Sequence, residues 1–308
     1  MSGVMTNQEI QRRKVTVEDR KDIYALMEKA GLHGTLTYVE RLGGMTNRTF
    51  HIVLDTMNNY VLRFPGEGTE ELINRKDEEI STKLACALHI DADLYYFDDE
   101  GHKVSEWIQD AHTMLAEDLR QPEQIHNVAK LLSILHESGE STGIPFEVFD
   151  MAADYERIII KNKVKLYADY EQIKAQVMSL KNTMDGEVSR RRVPCHNDPL
   201  CANWIYGNDR LYLIDWEYAG MNDPMWDLAD VSIEAHYGDK EDAMLLEAYF
   251  GRPVHKIEQK SFLANKIYLD YLWTLWGLTR VPYDGQVLQD YADIRYRRLK
   301  QNLKRLQK

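Results

Sequence analysis

Apolar and polar positions set three short runs side by side in the first third of the chain. TLTYVERL (35–42), TFHIVLDT (49–56) and NYVLRFP (59–65) are rich in β-branched and aromatic residues, with Gly-Gly and Asn-Asn between them. That pattern predicts consecutive antiparallel strands. A helical stretch over 69–88 follows, opening on acidic residues that suit a helix N-terminus. DLYYFD (93–98) and HKVSEWI (102–108) read as two further strands around an Asp-Glu-Gly turn. The segment is therefore β-β-β-α-β-β, a small sheet with one helix.

Past residue 109 the period changes. Ile125, Val128, Ala129, Leu132 and Leu135 recur at helical spacing. A long polar helix is expected over 155–182, and helical patterns return from 223 to the end. FLANKIYLDYLWTLWGL (262–278) is apolar nearly all round, which marks a buried helix. A strand-and-loop island, VPCHNDPLCANWIYGNDRLYLIDWEYAG (193–220), interrupts these helices. The expected division is an N-terminal lobe over 1–108 and a larger, mainly helical lobe over 109–308, an α+β fold.

Composition changes the picture little. The chain has 308 residues, 44% of them hydrophobic and 29% charged, enough for a sizeable core and unlike a disordered or disulfide-stapled chain. Its net charge of −12 argues against a nucleic-acid partner, which needs a basic footprint. Cys86, Cys195 and Cys201 have no regular spacing, as expected of reduced thiols and unlike a zinc site. With no long apolar run and no signal-peptide core, the expectation is a cytoplasmic protein that does not enter the membrane.

The island carries candidate chemistry. His196-Asn197-Asp198 is followed after four residues by Asn203, and later by Asp215 at the end of the apolar run LYLID. Phosphoryl transfer needs a carboxylate to orient the attacking hydroxyl and accept its proton. It also needs an amide oxygen and a carboxylate to hold magnesium on the ATP phosphates. Protein kinases space these groups as H-R-D-x-x-x-x-N followed by a strand-borne Asp. Asp198 is then the base, and Asn203 and Asp215 the metal ligands. Taken singly, each of these residues reads more readily as a turn or strand-end residue; their combined spacing favours the catalytic reading.

HNDPLCAN and LIDWEYAGMNDPMWDLA together resemble the choline/ethanolamine kinase family, especially its shorter bacterial members, over about 42–291. The resemblance implies a two-lobed protein-kinase-like fold, ATP with Mg2+, and phosphorylation of a small amino alcohol. It makes the segment holding Gly43, Gly44, Thr46 and Asn47 similar to a phosphate loop, although a lone Gly-Gly turn also suits a plain hairpin. Arg63 takes the place of the kinase strand lysine and contacts phosphate. Glu78 is its helix carboxylate, with Glu79 as the neighbouring alternative.

The same resemblance assigns Tyr218, Glu234, Trp273, Trp276 and Tyr291 to the acceptor. A quaternary ammonium has no N–H to donate, so aromatic faces and carboxylates must recognise it. By spacing alone the two tryptophans also read as core residues. Asp227 resembles a residue that braces the catalytic loop, and His136 and His196 read as hydrogen-bonded loop or core histidines. Glu217 stands near Asp215 without an assigned role. The expected reaction is transfer from ATP to choline. The alternatives are ethanolamine, an aminoglycoside or other small alcohol on the same fold, and a kinase-like binding module without catalysis.

Overall fold

The computed structural model describes residues 14–43, 47–66, 73–187 and 191–306. In chain order the elements begin α1 (Val17–Lys29), β1 (Leu36–Arg41), β2 (Arg48–Leu54), β3 (Asn59–Phe64), α2 (Arg75–Ala87), β4 (Leu94–Phe97), β5 (Lys103–Glu106) and β6 (His112–Thr113). The chain continues through α3 (Ala116–Leu119), α4 (Pro122–His136), α5 (Val148–Lys161), α6 (Tyr170–Glu187), β7 (Val193–Cys195), a 3-10 turn (Cys201–Asn203), β8 (Trp204–Gly207) and β9 (Arg210–Leu213). It ends with β10 (Gly220–Asn222), α7 (Pro224–Glu234), α8 (Asp239–Phe250), α9 (Lys256–Asp284) and α10 (Gln286–Leu306).

These elements gather into two compact units. One takes the chain as far as His112 and adds Ile205–Tyr218; the other takes Thr113–Trp204 and the chain from Ala219 onward. Residues 205–218, although late in sequence, thus pack with the first five strands.

In the first unit the five antiparallel strands lie in the order β1-β2-β3-β5-β4. Alternation puts Phe50, Ile52 and Leu54 of β2 and Leu62 and Phe64 of β3 into a core with Ile23, Leu26 and Met27 of α1. Helix α1 starts on a reciprocal cap: the Thr16 hydroxyl accepts from the Asp19 N–H at 3.0 Å, and the Asp19 carboxylate accepts from the Thr16 N–H at 2.9 Å. Arg63 alternates with Leu62 and Phe64, so it leaves β3 on the opposite face. Of the helix expected over 69–88, the described part is α2, capped by the Asn74 side chain; residues 67–72 lie outside the described residues.

In the second unit the single helix expected over 155–182 is two helices, α5 and α6. Its break is a left-handed residue, Lys163, at φ 56°. The Lys163 and Val164 N–H groups close the end of α5 onto the carbonyls of Ile160 and Ile159, both at 3.0 Å. Helix α5 also begins earlier than expected, because Val148, Ala152, Tyr155 and Ile159 form its buried stripe. Helix α9 is the core expected from 262–278: Ile267, Leu269, Leu272, Leu275 and Leu278 are fully buried, and α5, α7 and α10 pack around it. Where α9 meets α10, a Cβ on Gly277 would stand 3.0 Å from the Tyr291 ring, so glycine lets the helices approach this closely without displacing that ring. Strands β7 and β10 pair antiparallel and carry the chain into and out of the island. Among the described residues no helix is long and apolar enough to cross a membrane.

Candidate active site

In the first unit the candidate residues form a dense charge cluster. Arg63 Nη1 lies 2.5 Å from Glu78 Oε1, 3.4 Å from Asp215 Oδ1 and 3.5 Å from Glu217 Oε1. Arg63 Nη2 donates to the Gly101 carbonyl at 3.0 Å, which fixes the plane of the guanidinium. Arg75, one helical turn before Glu78, bridges Glu78 at 2.8 Å and Glu217 at 3.0 Å. Asn47 donates to Glu217 at 3.0 Å and accepts from the Gly66 N–H at 3.2 Å. Glu78, not its neighbour, is the partner of Arg63; Glu79 faces outward and pairs with Lys83 at 2.6 Å.

One oxygen from each of Glu78, Asp215 and Glu217 lies within 4.8 Å of the others, a set of hard donors of the kind magnesium prefers. Burial pushes the Asp215 carboxyl above the usual range, against the pull of Arg63 and Lys103. Burial and the adjacent Asp215 charge do the same to Glu217. Burial also acts on Glu78, but the charge and hydrogen bond of Arg63, with Lys103 and Arg75, overcome it and hold that carboxyl low. The rise at Asp215 and Glu217 comes chiefly from burial, and a divalent cation beside them would favour their charged forms. Asp215 itself is in the left-handed region at φ 71°, a strained conformation for a residue with a Cβ. Its neighbour Trp216 is buried and donates to Asp91 at 3.1 Å, which anchors the strained turn.

Of the expected phosphate loop, Gly44 and Thr46 lie outside the described residues. Gly43 is exposed, and a Cβ there would meet nothing within 4 Å. Tyr218 also belongs to the first unit.

In the second unit the loop that carries Asp198 hangs from one carboxylate. Asp227 of α7 accepts from the backbone N–H groups of His196 and Asn197, both at 2.8 Å. His136 of α4 lies 3.0 Å from the same carboxylate and 3.0 Å from the Tyr249 hydroxyl, as a hydrogen-bonded core histidine. Asn197, at φ 66°, is held by Asn222 at 2.9 Å and by the Trp226 indole N–H at 3.0 Å. These bonds stabilise the left-handed turn that presents Asp198. The His196 ring accepts from the Asp198 N–H at 3.2 Å, and the Asn203 amide donates to the Asp198 carbonyl at 3.0 Å. That last bond leaves the Asn203 Oδ1 as the atom able to ligate a cation.

Three of the expected acceptor aromatics come together. The Trp273 and Trp276 rings are 6.1 Å apart at 89°, and Trp276 and Tyr291 are 5.8 Å apart at 73°. Trp273 is almost wholly buried, whereas Trp276 is half-buried and its indole N–H has no hydrogen-bond partner among the described residues. Glu234 is engaged: Arg295 donates to it at 2.5 Å while stacking over Tyr291 at 4.6 Å. Sequence reasoning did not find Arg75 or Arg295. Arg75 had a signal, its i, i+3 spacing from Glu78, while the Arg295 partnership spans 61 residues and leaves no local trace.

The comparisons agree with this geometry. The profile of the choline/ethanolamine kinase family matches residues 39–272. Protein LicA from Haemophilus influenzae is 30% identical over 257 residues, covering 80% of this chain and 94% of its own. A choline/ethanolamine kinase family protein from Mesorhizobium loti superposes with a TM-score of 0.81 at 32% identity, covering 94% of this chain and 95% of its own. The choline kinase LicA from Streptococcus pneumoniae superposes with a TM-score of 0.77 at 32% identity, covering 92% and 99%. A structure of LicA in complex with AMP gives 0.76 at 32% identity, covering 92% and 97%. The fold is that of the kinase-like phosphotransferases, and the chain belongs to the choline/ethanolamine kinase family.

Proposed function

We propose that the protein transfers the γ-phosphoryl group of ATP to the hydroxyl of choline, giving phosphocholine and ADP. The observation that carries this reading is the Asp198 turn, built from two buried backbone bonds to Asp227 and accompanied in the same unit by the Trp273–Trp276–Tyr291 aromatic group. The similarity to proteins described as choline kinase LicA, and to a LicA complex with AMP, supports choline and an adenine nucleotide.

Asp198 orients the choline hydroxyl and takes its proton as the oxygen attacks phosphorus. Arg63, its guanidinium held by Glu78 and Gly101, offers a fixed charge to the phosphates. Gly43, Gly44, Thr46 and Asn47 belong to the phosphate-side loop. Asn203 in the second unit and Asp215 in the first would each offer an oxygen to magnesium, which would supply positive charge against the transferred group. Tyr218, Trp273, Trp276 and Tyr291 offer aromatic faces to the trimethylammonium, and Glu234 adds negative charge.

Purified protein with ATP and Mg2+, tested for ADP release against choline, ethanolamine and an aminoglycoside, checks the assignment. The expected order is choline first, ethanolamine weaker and the aminoglycoside inert. Faster turnover of ethanolamine or an aminoglycoside would overturn the choline assignment.

A further inference from the structure

A residue with a Cβ held at φ 71°, as Asp215 is, persists only where its surroundings fix it. Glu217, two residues on, is tied to Arg75 and Asn47, each at 3.0 Å. Its oxygens, however, belong to the same acidic group as Asp215, so a bound cation would draw on them. A second tether lies outside that group. Trp216 is 2% exposed, and its indole N–H donates to Oδ2 of the buried Asp91 at 3.1 Å. The bond joins residues 125 apart in sequence, both within the first unit.

Asp91 is itself a fixed point. It follows the end of α2, where His89 is left-handed at φ 56° and the Ile90 N–H returns to the Ala85 carbonyl at 2.9 Å. The Leu213 N–H donates to the Ile90 carbonyl at 3.1 Å. The end of β9, which leads to Asp215, is thereby bonded to the residue before Asp91. Asp91 Oδ1 accepts from the Ala92 N–H at 2.7 Å, so both of its oxygens have a donor.

Lys103 of β5 stands opposite Arg63 of β3 in register, and directly paired residues share a face of the sheet. It too is buried. Burial pushes the Asp91 carboxyl up, and Lys103 is foremost among the groups that oppose this. A carboxylate set on a fixed loop, with two donors and a neighbouring cation, is a rigid support for whatever it holds. Protein kinases have phenylalanine after the metal-binding Asp, a ring without a donor whose packing sets active and inactive states. An indole bonded to a fixed carboxylate lacks that freedom.

We propose that Asp91 is a positioning residue: through the Trp216 indole it locks the Asp215 turn in its strained conformation, so that the cation side of the nucleotide site is set before any ligand binds. This rests on the reading that Asp215 offers an oxygen to magnesium. It is independent of which alcohol is the acceptor.

The test uses the full chain with Trp216→Phe, which keeps a buried ring and removes the N–H, with Asp91→Ala, and with both together. In ligand-free wild type the Trp216 indole N–H resonance is identified by its loss in Trp216→Phe. It should move upfield in Asp91→Ala, as a lost hydrogen bond requires. Calorimetry then follows ADP binding over a series of Mg2+ concentrations and in EDTA. A released turn must return to the strained conformation before it can ligate, so the Mg2+ needed for half of the full ADP affinity should rise about tenfold or more. ADP affinity in EDTA should match wild type. The double variant should be no worse than the worse single one, because both changes cut the same bond. With choline as acceptor, excess Mg2+ should restore most of kcat and leave the choline KM within about twofold of wild type.

An unshifted indole resonance, an unchanged Mg2+ requirement, an equal loss of ADP affinity with and without Mg2+, or additive effects in the double variant would overturn the proposal. Should Asp91→Ala fail to fold, Asp91→Asn keeps the volume with one acceptor oxygen and must give a smaller rise of the same kind. A wild type whose ADP affinity ignored Mg2+ would remove the magnesium reading and the proposal with it. A wild type that phosphorylated no choline, with variants that still needed more Mg2+ for ADP, would end the choline reading and leave the tether standing.

Discussion

His136 and Asp227, brought together from α4 and α7, lie 3.0 Å apart with both side chains fully buried. The carboxylate also takes the two N–H groups that set the catalytic turn. Asp227 thus fixes the turn that carries Asp198, the proposed base.

Asp227→Asn replaces an acceptor of three bonds with an amide whose single oxygen cannot serve both oxygen positions. At least one buried N–H is then stranded, at about 1–3 kcal/mol. The urea midpoint should fall, and kcat should fall more than either KM because the turn that presents Asp198 loosens. A variant with wild-type stability and kcat would show that the brace is dispensable.

Arg63 uses both ends of its fork, one toward Glu78 and the other toward the Gly101 carbonyl. Lysine keeps the charge but has one nitrogen to place, so Arg63→Lys should leave the ATP KM raised and Arg63→Ala should raise it further. Kinetics of both variants over a range of ATP concentrations decide the point. Equal performance by lysine would mean that charge alone suffices.

Glu78 contributes a pH dependence of definite sign. Burial raises its carboxyl pKa, but Arg63 with Lys103 and Arg75 brings it below the reference value of 4.5. A depressed native pKa means that the unfolded state binds the proton more readily. Its stabilisation is therefore fully present above about pH 4.5 and lost as pH falls through the lower native value. The stability difference between wild type and Glu78→Gln, measured by urea unfolding, should be flat from pH 7 to 5 and shrink in more acid solution. A difference that grows on acidification would contradict the pairing.

The two tryptophans should separate. Trp273 is 4% exposed inside α9, so Trp273→Ala should first lower the melting temperature, at about 3–5 kcal/mol for an emptied core site. Trp276 is half-buried, and its ring stands between Trp273 and Tyr291. Trp276→Ala should raise the choline KM about tenfold, given up to about 2 kcal/mol per desolvated cation–π contact. Trp276→Phe should restore part of it. An unchanged choline KM in a stable Trp276→Ala protein would remove this ring from the acceptor site.

Much of this was legible in the chain, for physical reasons that also mark the limits. The five-stranded sheet announced itself because period-two alternation and Gly or Asn breaks are local signals. The Asp198–Asn203 spacing was readable because a single loop carries both residues. The division of the 155–182 helix was not, since Asn162 and Lys163 carry neither glycine nor proline to mark the turn. Choosing Glu78 over Glu79 needed the direction of each side chain, which adjacent acids do not reveal.

The most direct test of the account is the turnover of Asp198→Asn with choline, measured as phosphocholine formed at saturating ATP and Mg2+. Asparagine preserves size while removing the base, and loss of a general base costs about 10²–10⁴-fold in rate. The account predicts a fall in kcat of that size, with nucleotide affinity close to wild type. Near-normal phosphocholine formation by Asp198→Asn would contradict it.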